Sequence, residues 1–291
     1  MTDVPALTQI DHESDYGRWT LLRRMPPAPL LPYVVEMQGY CEEDGPPVTR
    51  KELPSGIVPM ILVFGPGFAI EDPRAPGGRR PLDRSFVAGL HDSYAIVGSA
   101  GNALCMQIDF TPLGARRFLN IPMDLIAGQV VDLRDVLQSQ ADLLEEKLAD
   151  APDWASRFEI VEQLLVERLS RPVSSHAVVK AALEEILARQ GDVRIGSLAQ
   201  RFDHSRKHLV TLFRREVGLT PKTFARVIRF EGAMGRLQQG AYGSLAELAA
   251  SCGYADQAHF NRDFLRFAGE CPSHLLARIL PDGTGVMAAA R

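Results

Sequence analysis

Between Val193 and Leu276 the chain writes one pattern twice, and this repetition restricts the fold more than any other feature. The first copy runs from Ile195 to Phe202, turns at Asp203 and His204, and continues from Ser205 to Arg215 with Gly218 beyond. The second runs from Ser244 to Gly253, turns at Tyr254 and Ala255, and continues from Asp256 to Phe264 with Gly269 beyond. Each is a short apolar helix, a tight turn, and a second helix whose first residue, Ser205 or Asp256, can cap open backbone N–H groups. That is the grammar of a helix-turn-helix.

Helical phase separates the side chains that pack from those left for a partner. In the first copy Leu209, Leu212 and Phe213 share one stripe and are expected to pack on Leu198 and Phe202. Lys207, Thr211 and Arg214 stand opposite, with Arg206, Val210 and Arg215 at the borders. In the second copy Phe260 and Phe264 hold the helix down and leave Gln257, Ala258, Asn261 and Arg262 outward. Such side chains can read base edges and phosphates. One copy alone would suit any pair of amphipathic helices; two copies with matched turns do not. Between them, Pro221 to Gln239 reads as one helix of about 27 Å, enough to hold the copies rigidly apart.

The signature Ser205, Leu209, Phe213, Gly218, Pro221 and Phe224, then Arg229, Ala233, Leu237, Leu248-Ala249, Gly253-Tyr254, Phe260, Arg262, Phe264, Gly269 and Pro272 resembles a known family. It is similar to the paired helix-turn-helix domain of the AraC/XylS transcriptional regulators and covers a little under a third of the chain. Around Gly269 the sequence departs from the family, with Ala268 and Glu270-Cys271 where a basic and a small polar residue are commoner. His274 to Leu276 also lack the usual aromatic-Arg ending. The resemblance implies binding to a double-stranded DNA operator, with Lys207, Val210, Thr211, Gln257, Ala258, Asn261 and Arg262 on the bases. Ser205, Arg206, His208, Arg214 and His259 are then expected on the sugar-phosphate backbone. A small-molecule effector, RNA polymerase and a second copy of the chain, forming a homodimer, are the further partners it implies. A looser resemblance, through Leu53-Pro-Ser-Gly56, Phe86-Val-Ala-Gly89 and Ile108 to Gly114, is to the amino-terminal domain of one subgroup of these regulators; it implies a sensory or assembly role.

A length of 291 residues allows two ordinary domains. The expected division is an amino-terminal sensory and dimerisation domain over residues 1–170 and a DNA-binding domain over 175–280, joined by Arg171 to Ser175. The net charge of -4 does not suit a DNA binder until it is divided. Ser175 to Leu280 carries 15 Lys and Arg against 10 Asp and Glu, whereas the rest carries 17 against 26. Charge is thus segregated toward the repeated motif, although a solvated basic surface would look the same. No apolar run approaches a membrane span and the start lacks the order of a signal peptide, so a cytoplasmic protein without a membrane partner is expected. Cys41, Cys105, Cys252 and Cys271 lie far apart, which suggests buried thiols and neither a disulfide framework nor a zinc knuckle.

Ahead of the linker the reading is a small antiparallel sheet or barrel with helices, making the whole α+β. Met1 to Arg24 reads as a loose polar arm, and Leu30 to Tyr40 as a short helix with Tyr33, Val34, Met37 and Tyr40 near one stripe. Ile57 to Phe64 is an apolar run of strand length, with Phe68 to Ile70 expected to pair back on it. Asp72 to Pro81 is a loop by composition, and further strands are expected at Ser85 to Ala88, Tyr94 to Val97 and Leu104 to Phe110. Helices are expected from Pro112, from Asp132 to Leu148, from Pro152 to Leu169 and from Ala177 to Gln190.

No catalytic constellation or cofactor site is recognised. Only His12 and His91 precede the linker, so the two-histidine metal motif of cupin-like barrels is missing, and the glycine-rich turns lack a following Lys-Ser/Thr. The alternatives are a DNA-alkylation repair or sensing protein with a reactive cysteine, for which Cys41 and Cys105 supply no metal-held cluster, and a DNA-binding module whose first half only dimerises.

Overall fold

The computed structural model describes residues 6–14, 17–43, 45–73, 78–171, 175–201, 205–240, 242–278 and 286–287. The first five residues, positions 172–174 of the linker, Phe202 with the turn at Asp203-His204, Ala241 and Leu280 lie outside the described residues. The strands are β1 (Leu7–Ser14), β2 (Gly17–Arg24), β3 (Val34–Glu42), β4 (Val48–Glu52), β5 (Val58–Val63), β6 (Phe68–Glu71), β7 (Arg80–Leu82), β8 (Phe86–Ala88), β9 (Ala95–Ser99), β10 (Leu104–Phe110), β11 (Val130–Asp132) and β12 (Val286–Met287). The helices are α1 (Pro112–Leu119), α2 (Leu133–Leu137), α3 (Ser139–Asp150), α4 (Trp154–Leu169), α5 (Ala177–Ala188), α6 (Ile195–Arg201), α7 (Arg206–Val217), α8 (Pro221–Gln239), α9 (Leu245–Ser251), α10 (Gln257–Ala268) and α11 (Pro272–Leu276), with a 3-10 turn at Met123–Leu125.

Among the described residues the strands form two antiparallel sheets, ordered β1-β2-β3-β10-β5-β8-β11 and β12-β4-β9-β6-β7. Strand alternation gives the first sheet two different faces. Val58, Met60 and Leu62 of β5 enter the main core beneath the helices, whereas Pro59 and Ile61 turn to a cavity between the sheets. A strand buried on both sides reads as an unbroken apolar run, and so does β5. Helix α4 covers the helical side, with the Trp154 ring laid over Gly39, where a Cβ would come within 2.4 Å of it. The α+β organisation therefore stands, as two facing sheets and not a closed barrel.

Several local expectations are overturned. Residues 7–14 and 17–24 are not a loose arm but two paired antiparallel strands, zipped from Leu7 opposite Arg24 to Ser14 opposite Gly17. The first strand is exposed along most of its length, so no burial period marks it in the sequence. Leu30 to Tyr40 is not a helix, because Val34 to Glu42 is β3. The register opposite β10 skips Val35, with Phe110 facing Val34 and Asp109 facing Glu36. That bulge shifts the alternation by one residue, so Val34 and Met37, three apart, are both buried and imitate helical spacing. Strand β6 pairs with β7 and β9, not back on β5, and β7 takes up the end of the supposed loop. The helix expected from Asp132 to Leu148 breaks at Gln138, whose φ of 55° separates α2 from α3.

On β10 the buried Asp109 accepts a hydrogen bond from Gln107 at 2.8 Å. Burial pushes its carboxyl up to about 6, with Gln107 opposing and Glu36 and Glu52 reinforcing. The folded state thus holds more protons than the unfolded chain between roughly pH 4 and 6, and stability falls as pH rises through that window. Asp109→Asn is expected to stabilise the protein at pH 7 by about 1–2 kcal/mol. The gain should vanish near pH 4 in paired denaturant titrations. A pH-independent difference would contradict this.

The core of the first repeat, with Leu198, Leu209 and Phe213, is continuous with that of the amino-terminal part through Phe118 of α1 and Met123. The second repeat has its own core, in which Phe230 of α8 meets Phe264 at 4.9 Å and Phe267 at 5.2 Å.

Candidate functional site

Both repeats form as helix pairs. Ser205 caps α7 by accepting from His208 N at 3.2 Å, and Asp256 caps α10 by accepting from His259 N at 2.6 Å. Ser244 caps α9 in the same way, from Glu247 N at 3.2 Å. Helix α8 is continuous over 19 residues, or about 28 Å, with Thr220 as its cap and Pro221 at its first position. It fixes the two pairs relative to one another: Arg229 donates to the Gly191 carbonyl at 2.9 Å and lies over the Tyr254 ring at 5.5 Å.

On α7, Arg206, Lys207, His208, Thr211 and Arg214 are exposed, as is Ser205 at its cap, and Val210 is half-buried. The Thr211 hydroxyl donates to the Lys207 carbonyl at 3.0 Å, which holds it close to its own helix. On α10, Gln257, Ala258 and Arg262 are exposed, and His259 leans on Tyr254 with ring centroids 5.2 Å apart. Arg262 donates from Nε to the Ala258 carbonyl at 3.2 Å. The carboxylates that would compete for it are engaged elsewhere: Asp263 is buried against Arg226 at 2.5 Å and Asp256 serves as the cap. Asn261 is half-buried with Oδ1 enclosed and unbonded, so it does not present a full amide edge outward. Leu265, exposed on the next turn, was not picked out by polarity; an apolar side chain beside Arg262 is suited to a thymine methyl.

The cavity between the sheets encloses about 770 Å³, within the range that small-molecule sites occupy. Its wall carries Trp19, Tyr40, Phe68, Phe86 and Tyr94 together with charged side chains. Arg23 pairs with Glu36 at 3.2 Å, and Glu42 accepts from Ser99, Tyr40 and the Ala103 N–H at 2.7–2.9 Å. Cys105 is also in the wall, and burial pushes its thiol well above the ordinary range, which opposes a reactive thiolate there. Among the described residues no group of three or more His, Cys, Asp or Glu side chains is placed to hold a metal ion, and no helix is long and apolar enough to cross a membrane.

One strand joins cavity and repeat. On β4, Arg50 and Glu52 face the cavity, and the buried Lys51 between them faces the other way. Lys51 donates to the Ala268 carbonyl at 2.8 Å and to Glu270 at 2.5 Å, over the Tyr94 ring. Glu270 also pairs with Arg278, Asp92 with Arg266, and Gly56 N donates to Glu231 at 3.0 Å. A Cβ on Gly269 would lie 2.3 Å from Tyr94, so the end of α10 fits there only as glycine.

Residues 198–278 match a family model described as a helix-turn-helix domain, and residues 23–132 match one described as a domain of unknown function. An HTH-type transcriptional regulator of Mycobacterium tuberculosis is 35% identical over 82 residues, 28% of this chain and 31% of that protein. The HTH-type transcriptional activator RhaS of Pectobacterium carotovorum is 32% identical over 84 residues, 29% of this chain and 30% of that protein. The chain thus spans about a third of the length of the curated relatives it matches. A solved structure described as a probable AraC family transcriptional regulator from Rhodopseudomonas palustris is 30% identical, covering 35% of this chain and 96% of that one, with a TM-score of 0.32. Residues 198–278 thus carry a helix-turn-helix domain similar to those of the HTH-type transcriptional regulators they match.

Proposed function

We propose that the chain is a sequence-specific transcriptional regulator working in the cytoplasm, in which residues 175–280 bind an operator and residues 1–170 sense a small molecule and dimerise. The observation that carries this reading is the pair of capped helices α7 and α10, each presenting exposed polar side chains and held apart by one rigid helix. The span of α8 is close to the roughly 34 Å between successive major-groove faces, so both helices reach neighbouring grooves on one side of the duplex. Selection from a random DNA pool with the full chain should return a defined site, with affinity falling linearly in log salt as Lys and Arg displace counterions. Footprints should protect two successive grooves. A folded protein without salt-dependent binding to any selected sequence, or protection of one groove only, contradicts the reading. RNA polymerase contact at promoters belongs to the same reading. So does assembly through the first 170 residues, supported by the outward apolar Leu143 on α3 and Val166 on α4. A monomer by light scattering at micromolar concentration would remove the dimer.

A further inference from the structure

Among the charged groups around the cavity, two that form no described ion pair stand on the same face of one strand. Arg50 lies over the Trp19 ring at 5.5 Å and the Tyr40 ring at 5.3 Å, and donates from Nη2 to the Tyr40 hydroxyl at 2.7 Å. The Tyr40 hydroxyl in turn donates to Glu42 at 2.9 Å. This chain fixes one edge of the guanidinium, and no described carboxylate forms an ion pair with the rest of it. Two residues on, Glu52 has its accessible surface in the cavity, and no described donor bonds its carboxylate. The carboxyl is exposed to the cavity yet closely surrounded by protein, and that desolvation pushes it up, with Arg50 as the opposing charge. Arg50, drawn toward Trp19 and Tyr40, therefore leaves a gap beside Glu52, the two backbones being roughly 7 Å apart along the strand.

Both side chains are accessible to the cavity, and a charge there without an ion-pair partner is stabilised by an opposite charge, so the best occupant is one that matches both. A purely anionic ligand would leave Glu52 unmatched; a purely cationic one would leave Arg50 so. The wall also offers apolar surface, with Phe68, Ile70, Phe86 and Val97, among other charged and polar side chains that have partners of their own. We infer that the cavity binds a zwitterion of amino-acid type with a large apolar body, its carboxylate on Arg50 and its ammonium on Glu52. This rests on the sensing role proposed for the amino-terminal part and names its ligand class.

The test is a set of matched probes titrated calorimetrically into the full chain. L-tryptophan is compared with indole-3-propionate, which lacks the ammonium, and with tryptamine, which lacks the carboxylate; phenylalanine and leucine are taken with their corresponding acids and amines. In at least one series the zwitterion should bind about tenfold or more tighter than either relative. In Glu52→Gln its advantage over the acid should collapse while its advantage over the amine remains, and Arg50→Gln should do the converse. If either variant fails to fold, the wild-type series decides alone. No preference for the zwitterion in any series, including no binding at all, overturns the inference. Operator binding by the unliganded chain is measured separately: its retention alongside a failed probe series overturns the ligand assignment alone, and its loss alongside a successful series overturns the regulator.

Discussion

Lys51→Met is expected to release the second repeat from the sheets at a cost of about 2–4 kcal/mol. The lysine is buried, and its ammonium ties the Ala268 carbonyl at the end of α10 and the Glu270 carboxylate to β4. Methionine fills similar space but donates nothing, so the carbonyl loses its donor and Glu270 is left with Arg278 as its ion-pair partner. That remaining pair places the expected cost below the full penalty for stranding a buried charge. The effect should be local, because α7 shares its core with α1 and the 3-10 turn whereas α10 packs in a separate cluster. Hydrogen exchange should therefore accelerate in α10 and α11 and change little in α7. Equal acceleration in both repeats, or none in α10, would show that Lys51 is not the tie. Strand alternation gives the tie a further meaning, since the residues on either side of Lys51 face the cavity. Displacement of β4 by an occupant would reach the end of a recognition helix through one side chain.

The departure at Glu270 thus acquires a physical reason. Its carboxylate is a group to which Lys51 donates, so that segment answers to the sheets. Nothing in the sequence joined Lys51 to Glu270, because the pairing depends on how two distant segments dock. The repeats themselves were legible for the opposite reason: caps, turns and apolar stripes are local, and they occur twice. In the sheets, β5 could be read from its apolar run, whereas β3 could not, because the bulge at Val35 imitates helical spacing. The β1–β2 pair escaped because its outer strand is exposed through most of its length and carries no burial period. The cavity was equally hidden. Its charged wall is assembled from alternate residues of strands in both sheets, and no contiguous stretch of sequence carries it.

The two recognition helices are expected to divide the work of reading DNA, with Arg262→Ala weakening operator binding by about 1–3 kcal/mol and relaxing preference at one base pair. Arg262 is exposed and spends only Nε on its own helix, leaving the terminal nitrogens for the paired acceptors of a guanine. Its neighbours Asp263 and Asp256 are held by Arg226 and by the helix cap, which removes the carboxylates most able to draw it aside. Asn261 is less prepared, since its enclosed oxygen must rotate outward before the amide can pair with an adenine. On α7, Lys207 is an exposed flexible point charge, and Thr211 is turned back onto its helix. Lys207→Ala is accordingly expected to weaken binding to all sequences alike and to lower the salt slope by about one. Both variants should be titrated against the selected operator and its single-base substitutions at several salt concentrations. If Lys207→Ala alters base preference while Arg262→Ala leaves it intact, the roles are reversed and the first repeat is the reader.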